Sequence, residues 1–142
     1  MIPHSIHASC VARDGAAIVI YGPTGAGKSL LALALIEHGF TLVADDRVEL
    51  GSEGASPPET IRGLIEVRGV GILAMPWVAP VPVRLAVALG RRADRLPQSE
   101  HDPQTGAVLL RILGSEYGDV SRVKAAFDAC TGRYEWVAGA GK

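Results

Sequence analysis

Gly22-Pro23-Thr24-Gly25-Ala26-Gly27-Lys28-Ser29 satisfies the pattern G-x-x-x-x-G-K-[ST] at every fixed position, and no other stretch constrains the fold as tightly. An apolar β-type run, Ala16 to Tyr21, leads in, and a helix-forming run, Leu30 to His38, leads out. The pattern needs that strand–loop–helix setting. Its glycines let backbone N–H groups close around a polyphosphate with no Cβ in the way. Lys28 reaches the outer phosphates, Ser29 offers a hydroxyl to Mg²⁺, and the new helix turns its positive end toward the anion. The loop implies a nucleotide or pyrophosphate ligand. It leaves open what receives a phosphoryl group.

The rest of the chain bounds the setting. At 142 residues it reads as one domain, 1–142. A chain of this size buries roughly 68–70% of its unfolded surface and needs no disulfide or metal staple. The formal net charge of −1 argues against broad nucleic-acid binding, and Lys and Arg are scattered apart from Arg91-Arg92 near Arg95. Cys10 and Cys130 have no partner ligands at metal-site spacing and read as two reduced, buried or half-buried thiols. Met1-Ile2-Pro3-His4 shows no leader pattern, and no apolar run reaches the roughly 20 residues of a membrane helix, so a cytoplasmic location is expected.

Hydrophobic periodicity supplies the expected elements. His7 to Val11 and Ala16 to Tyr21 read as strands of a hairpin turned at Arg13-Asp14-Gly15. The helix ends at Gly39, a C-terminal cap. Thr41 to Ala44 is a short buried strand, and the right-handed crossover rule makes it parallel to the strand before the loop. Val48 to Leu50 is a further strand candidate, with Gly51 to Pro58 a polar loop. Ile61 to Val67 and Val70 to Ala74 flank Arg68-Gly69. Val83 to Leu89 and Ala107 to Leu113 read as strands, Gly90 to Gly106 as a mobile surface segment, and Gly139 to Lys142 as frayed. Val120, Val123, Phe127 and Cys130 recur at helical spacing after Asp119, the expected N-cap. The fold class is α/β: a β-rich core sheet, a phosphate loop leading into a helix, and further helices outside.

Two more clusters carry chemistry. Asp45 and Asp46 end the Thr41–Ala44 strand, at the carboxyl edge where ligands bind in open α/β sheets. Alone they read equally as an exposed turn. Beside a phosphate loop, a carboxylate there holds Mg²⁺ or its water, or takes a proton from an attacking hydroxyl. Adjacent strand residues point opposite ways, so the two acids divide these roles. In Glu66-Val67-Arg68-Gly69-Val70-Gly71, Glu and Arg lie on one side of an extended strand, and glycines two apart admit a ligand to the backbone. A surface ion pair at a bend is the plainer reading of that segment.

These segments resemble the HPr kinase/phosphorylase family. The resemblance rests on the loop Gly22–Ser29, on His38-Gly39-Phe40-Thr41-Leu42-Val43-Ala44-Asp45-Asp46, and on Ile65-Glu66-Val67-Arg68-Gly69-Val70-Gly71-Ile72. His7 before the loop and Asp94-Arg95-Leu96 after the signature complete it, so the match runs from about His7 to Leu96. It implies ATP held by Gly22, Pro23, Thr24, Gly25, Ala26, Gly27, Lys28 and Ser29, with Mg²⁺ on Ser29 and Glu66. It implies Asp46 as acceptor of the substrate seryl proton, with Asp45 supporting either the metal or Asp46. His7 and Lys28 become active-site residues, and Arg95 steadies transferred phosphate. For His7 and Arg95 only the resemblance carries the role, since in isolation they read as a strand histidine and a solvated charge.

The implied reaction is ATP-dependent phosphorylation of a serine on HPr, the phosphocarrier of the phosphotransferase system. The resemblance is to the short, catalytic-domain-only form found in alphaproteobacteria. Near Leu110 to Tyr117 the chain lacks the Pro-x-Arg-Pro-Gly-Arg type stretch linked to dephosphorylation, so kinase activity is implied more directly than phosphorylase activity. The family hexamer makes a homo-oligomer a possible state. Two other readings fit the loop: a nucleotide-sensing module that binds ATP and a signalling partner with little catalysis, and a small-molecule kinase. The latter leaves the Glu66–Gly71 segment unexplained.

Overall fold

The computed structural model describes residues 4–142, so the reading of Met1–Pro3 lies outside the described residues. In chain order the elements are β1 (His4–Ile6), β2 (Ser9–Arg13), β3 (Ala16–Tyr21), α1 (Lys28–Glu37), β4 (Thr41–Ala44), β5 (Val48–Gly51), β6 (Gly54–Ser56), a 3₁₀ turn (Glu59–Ile61), β7 (Leu64–Val67), β8 (Gly71–Ala74), β9 (Val83–Leu89), β10 (Val108–Ile112) and α2 (Asp119–Cys130). None of these helices is long and apolar enough to cross a membrane.

Five strands form the central sheet in the order β10-β9-β3-β2-β4. β3, β9 and β10 run parallel, while β2 is antiparallel to both β3 and β4. β4 therefore keeps the expected parallel sense to β3 but is not its neighbour, because β2 lies between them. The hairpin behind that insertion turns at Asp14 and Gly15, both at positive φ (52° and 77°), the backbone that favours Asp-Gly.

Side-chain alternation explains how the sheet is covered on both faces. Ile18 and Ile20 of β3, Val11 of β2, and Leu85 and Val87 of β9 share one core with Leu31 and Leu35 of α1 and Phe127 of α2. The intervening residues are smaller: Ala17, Val19, Cys10, Ala12 and Ala86 pack with Val48 and Ala55 of a second sheet, β1-β5-β6. Bulky residues meet helices and small ones admit a second sheet at close range, each strand reading with period two. At Gly54, a Cβ would stand 2.3 Å from the Val81 carbonyl oxygen, so only glycine lets β6 approach the chain entering β9. Arg13 fastens α2, pairing with Asp128 and lying 4.9 and 5.0 Å from the ring centroids of Phe40 and Phe127.

Several sequence expectations need correction. Gly51 to Pro58 contains a strand, β6, paired with β5 as a hairpin. Asp119 is the first residue of α2 rather than its N-cap, which is Gly118. Its carboxylate instead accepts the N–H groups of Gly114 (3.0 Å) and Glu116 (2.9 Å). The C-terminal residues are packed rather than frayed: Ala140 is buried, its carbonyl accepts the Glu100 N–H, and the Lys142 N–H bonds the Gly139 carbonyl. The irregular Gly90–Gly106 segment is anchored by Asp102, a buried carboxylate accepting from Tyr21 and Thr105 at 2.7 Å. Burial, then that hydrogen bond, pushes the Tyr21 phenol well above its ordinary range.

Candidate functional site

The carboxyl ends of β3 and β4 and the start of β2 lie at one edge of the sheet. Ser9 pairs in register with Ile20, and Cys10 with Ala44. The segments that leave β3 and β4 and the one that enters β2 meet at a small cleft of about 200 Å³, lined among others by His7, Lys28, Ser29, Asp45, Asp46 and Glu66.

The Gly22–Ser29 loop starts at the end of β3. It makes a turn closed by Ala26 N–H to the Pro23 carbonyl, then enters α1 through Gly27 at φ 98°. At that φ an L side chain is strained, so the fixed glycine is a backbone requirement. No side chain caps α1, which leaves its first-turn N–H groups facing the cleft without a side-chain acceptor. Lys28 is buried, and its Nζ donates to the carbonyls of Gly22 (2.8 Å) and Pro23 (3.1 Å), folding the ammonium back over its own loop.

Asp45 and Asp46, adjacent in sequence, occupy opposite environments. Asp45 is 4% exposed and accepts from three places. Ser9 Oγ donates to its Oδ1 at 2.6 Å, Ser29 Oγ reaches Oδ1 at 2.8 Å and Oδ2 at 3.0 Å, and the Glu66 N–H donates to Oδ2 at 3.2 Å. One carboxylate thus ties together β2, the loop and β7. The Asp46 side chain is 74% exposed, and its Oδ1 lies 3.2 Å from His7 Nε2. Asp46 has φ 69°, inside a turn closed by Arg47 N–H to the Asp45 carbonyl at 2.8 Å. A three-residue turn at positive φ is the rarer, strained kind. It reverses the chain sharply enough to keep both carboxylates at one cleft.

Glu66 and Arg68 both reach the cleft from β7 and the residue after it. The Arg68 guanidinium comes within 3.8 Å of where a Cβ on Gly25 would sit, over the loop. β8, the other strand of this hairpin, is wholly exposed.

His7 lies in the link between β1 and β2 rather than in a strand. Arg95 is not brought to the cleft. It lines a larger groove of about 930 Å³, with Arg92, Glu116, Arg122 and Trp136 among its neighbours, between α2, β10 and the C-terminal segment. Ser9 escaped the sequence reading altogether. Its only signal there is the hairpin register, which places it level with Ile20, two residues short of the loop.

The donor set suits Mg²⁺, a hard cation that takes oxygen ligands and keeps several waters. Ser29, Asp45 and Glu66 present oxygens. Among the described residues, no three His, Cys, Asp or Glu side chains cluster closely enough to hold a metal alone. An ion here would be shared with the Ser29 hydroxyl and a ligand's phosphates, which is how Mg²⁺ is bound beside nucleotides.

Comparison with known proteins gives the family. The family described as HPr Serine kinase C-terminal domain matches residues 2–78. The HPr kinase/phosphorylase of Caldanaerobacter subterraneus subsp. tengcongensis is 45% identical over 74 residues, covering 49% of this chain and 24% of that protein. The HPr kinase/phosphorylase of Enterococcus faecalis is 40% identical over 74 residues, with the same coverage of each. The chain thus spans about a quarter of the length of these curated relatives. The solved structure of the Hpr(Ser) kinase/phosphatase from Coxiella burnetii superposes with a TM-score of 0.75 at 26% identity, covering 94% of this chain and 99% of that one. The chain belongs to the family of the HPr serine kinase C-terminal domain.

Proposed function

We propose that the chain is an ATP- and Mg²⁺-dependent kinase that phosphorylates a serine of an HPr-type phosphocarrier protein. One observation carries the proposal. A buried carboxylate tied to Ser29 and an exposed carboxylate paired with His7 face the same cleft as Lys28 and an uncapped helix start. Phosphoryl transfer needs those parts: a cradle for the donor, a metal side and a proton acceptor.

The loop amides and Lys28 hold the ATP phosphates, Lys28 exchanging its two carbonyl partners for phosphate oxygens. Ser29, Asp45 and Glu66 hold Mg²⁺, which offsets charge on the phosphates when bound. Asp46 orients the substrate hydroxyl and takes its proton, and His7 at 3.2 Å holds that carboxylate in place. The seryl oxygen forms its bond to the γ-phosphorus as the bond to the bridging oxygen of ADP breaks. The products are phosphoserine and ADP. Burial divides the two acids: Asp45, already saturated with donors, serves the metal side, and the exposed Asp46 is free to meet a protein substrate.

The test is direct. Purified chain, HPr, Mg²⁺ and γ-labelled ATP should give labelled phosphoserine, and added phosphate should then reveal whether the reverse reaction occurs. ATP binding without label on HPr would favour a sensing module instead.

A further inference from the structure

We propose that Ser9 is a positioning residue: its buried hydroxyl holds the Asp45 carboxylate in place when Ser29 turns away to Mg²⁺. This rests on the assignment of Asp45 and Ser29 to the metal side of the cleft.

Three donors meet Asp45 in this structure, and one of them is Ser29, whose hydroxyl spans both carboxylate oxygens. A hydroxyl recruited to a cation must give up that contact. With no other donor, Asp45 would then be a buried carboxylate free to rotate and costly to leave that way. Two donors remain, one on each oxygen: Ser9 Oγ on Oδ1 at 2.6 Å and the Glu66 N–H on Oδ2 at 3.2 Å. Each carboxylate oxygen has a second lone pair, so both donors stay bonded while the free lone pairs face the cleft.

The fold explains why a serine can do this. β2 is antiparallel to the strands on either side of it, so its first residue, not its last, lies at the edge where β3 and β4 end. Ser9 is 1% exposed, and its hydroxyl has no partner among the described side chains other than Asp45. Orienting groups behind metal-side ligands typically change metal affinity or activity about 10- to 100-fold.

The experiment compares ATP affinity in excess Mg²⁺ with ATP affinity in EDTA, for wild type and Ser9→Ala, with thermal midpoints measured alongside. Mn²⁺ binding to the protein–nucleotide complex, followed by electron paramagnetic resonance, gives a readout without turnover. In Ser9→Ala the Mg²⁺-dependent gain in ATP affinity should shrink about tenfold or more, and Mn²⁺ should bind correspondingly weaker, with metal-free ATP affinity unchanged. Ser9→Cys keeps nearly the same volume with a weaker donor, so it should fall between the two, and it carries the test if the alanine variant does not fold. Equal losses with and without metal, or an unchanged ratio, would overturn the role of Ser9 while leaving the metal side intact. A wild type whose ATP affinity ignores Mg²⁺ would instead remove the metal assignment and the Ser9 role together.

Discussion

The two flanks of the Gly22–Ser29 loop are built to opposite plans. On the β2/β4 flank, charged groups are aimed at the cleft: Asp46, Glu66 and Arg68 line it, and only Asp45 is saturated by hydrogen bonds. On the β9/β10 flank, charges are spent on one another. Arg92 pairs with Glu116, Arg122 with Glu116 and Asp119, and Arg111 with Glu100 through two parallel hydrogen bonds. There Asp119 gathers the Gly114 and Glu116 N–H groups into a turn, and the Gly114 carbonyl comes within 3.7 Å of where a Gly27 Cβ would sit. One flank presents chemistry and the other braces the loop from behind. Arg92, Arg111 and Arg122 of that groove already hold carboxylates, so the number of arginines there is by itself no sign of an anion site.

That contrast breaks most visibly through Asp46. Asp46→Asn keeps the shape and removes the proposed proton acceptor, so labelled phosphate transfer to HPr should fall about 10²- to 10⁴-fold with ATP affinity retained. A rapid Asn variant would move the acceptor elsewhere on the same flank. Next in size is the bracing side. Asp119→Ala removes a buried carboxylate and the acceptor of the half-buried Gly114 and Glu116 N–H groups, and should cost about 1–3 kcal/mol of stability. By size scaling this lowers the thermal midpoint by roughly 2–12 °C, with MgATP affinity changed far less. A loss of ATP affinity greater than the loss of stability would erase the distinction between the flanks. The smallest effect belongs to Arg95→Ala. Arg95 lines the braced groove away from the cleft, so single-turnover transfer should stay within about threefold of wild type, as for ordinary surface changes. A larger drop would bring Arg95 into the reaction, as the family resemblance suggested, through a movement of the 90–100 segment.

Much of the β2/β4 flank was legible in the sequence because its signals are local. The loop motif, the Asp-Gly hairpin and the acids ending a short strand each concern a few consecutive residues with one geometric consequence. The sequence expected the two acids to part by strand alternation, but both lie beyond the last residue of β4, and it is the turn at Asp46 that separates their environments. The C-terminal residues were misread, and the position of Arg95 away from the cleft was not legible, because their surroundings depend on segments far away in the chain. Ala140 is buried, and its carbonyl accepts the N–H of Glu100 from far back in the chain, a contact that no local pattern announces.

The cysteines follow the same division. Both are free, as their spacing suggested. Burial or half-burial was expected too, and only the packing decides which is which: Cys10 is fully buried, with its thiol pushed far up by desolvation, while Cys130 sits half-buried at the end of α2.

By itself, the sequence determined that a strand, a glycine-rich loop and a helix come together, that two acids end the next strand, and that alternating residues cover both faces of a sheet. These follow from backbone sterics and from periods of two and 3.6, which act over a few residues. Only the tertiary structure decided that β2 slips between β3 and β4. Strand order depends on which apolar faces pack best across the whole chain, and many orders satisfy the same local rules. That one decision brings Ser9 to the edge where the loop begins and places a hydroxyl behind Asp45.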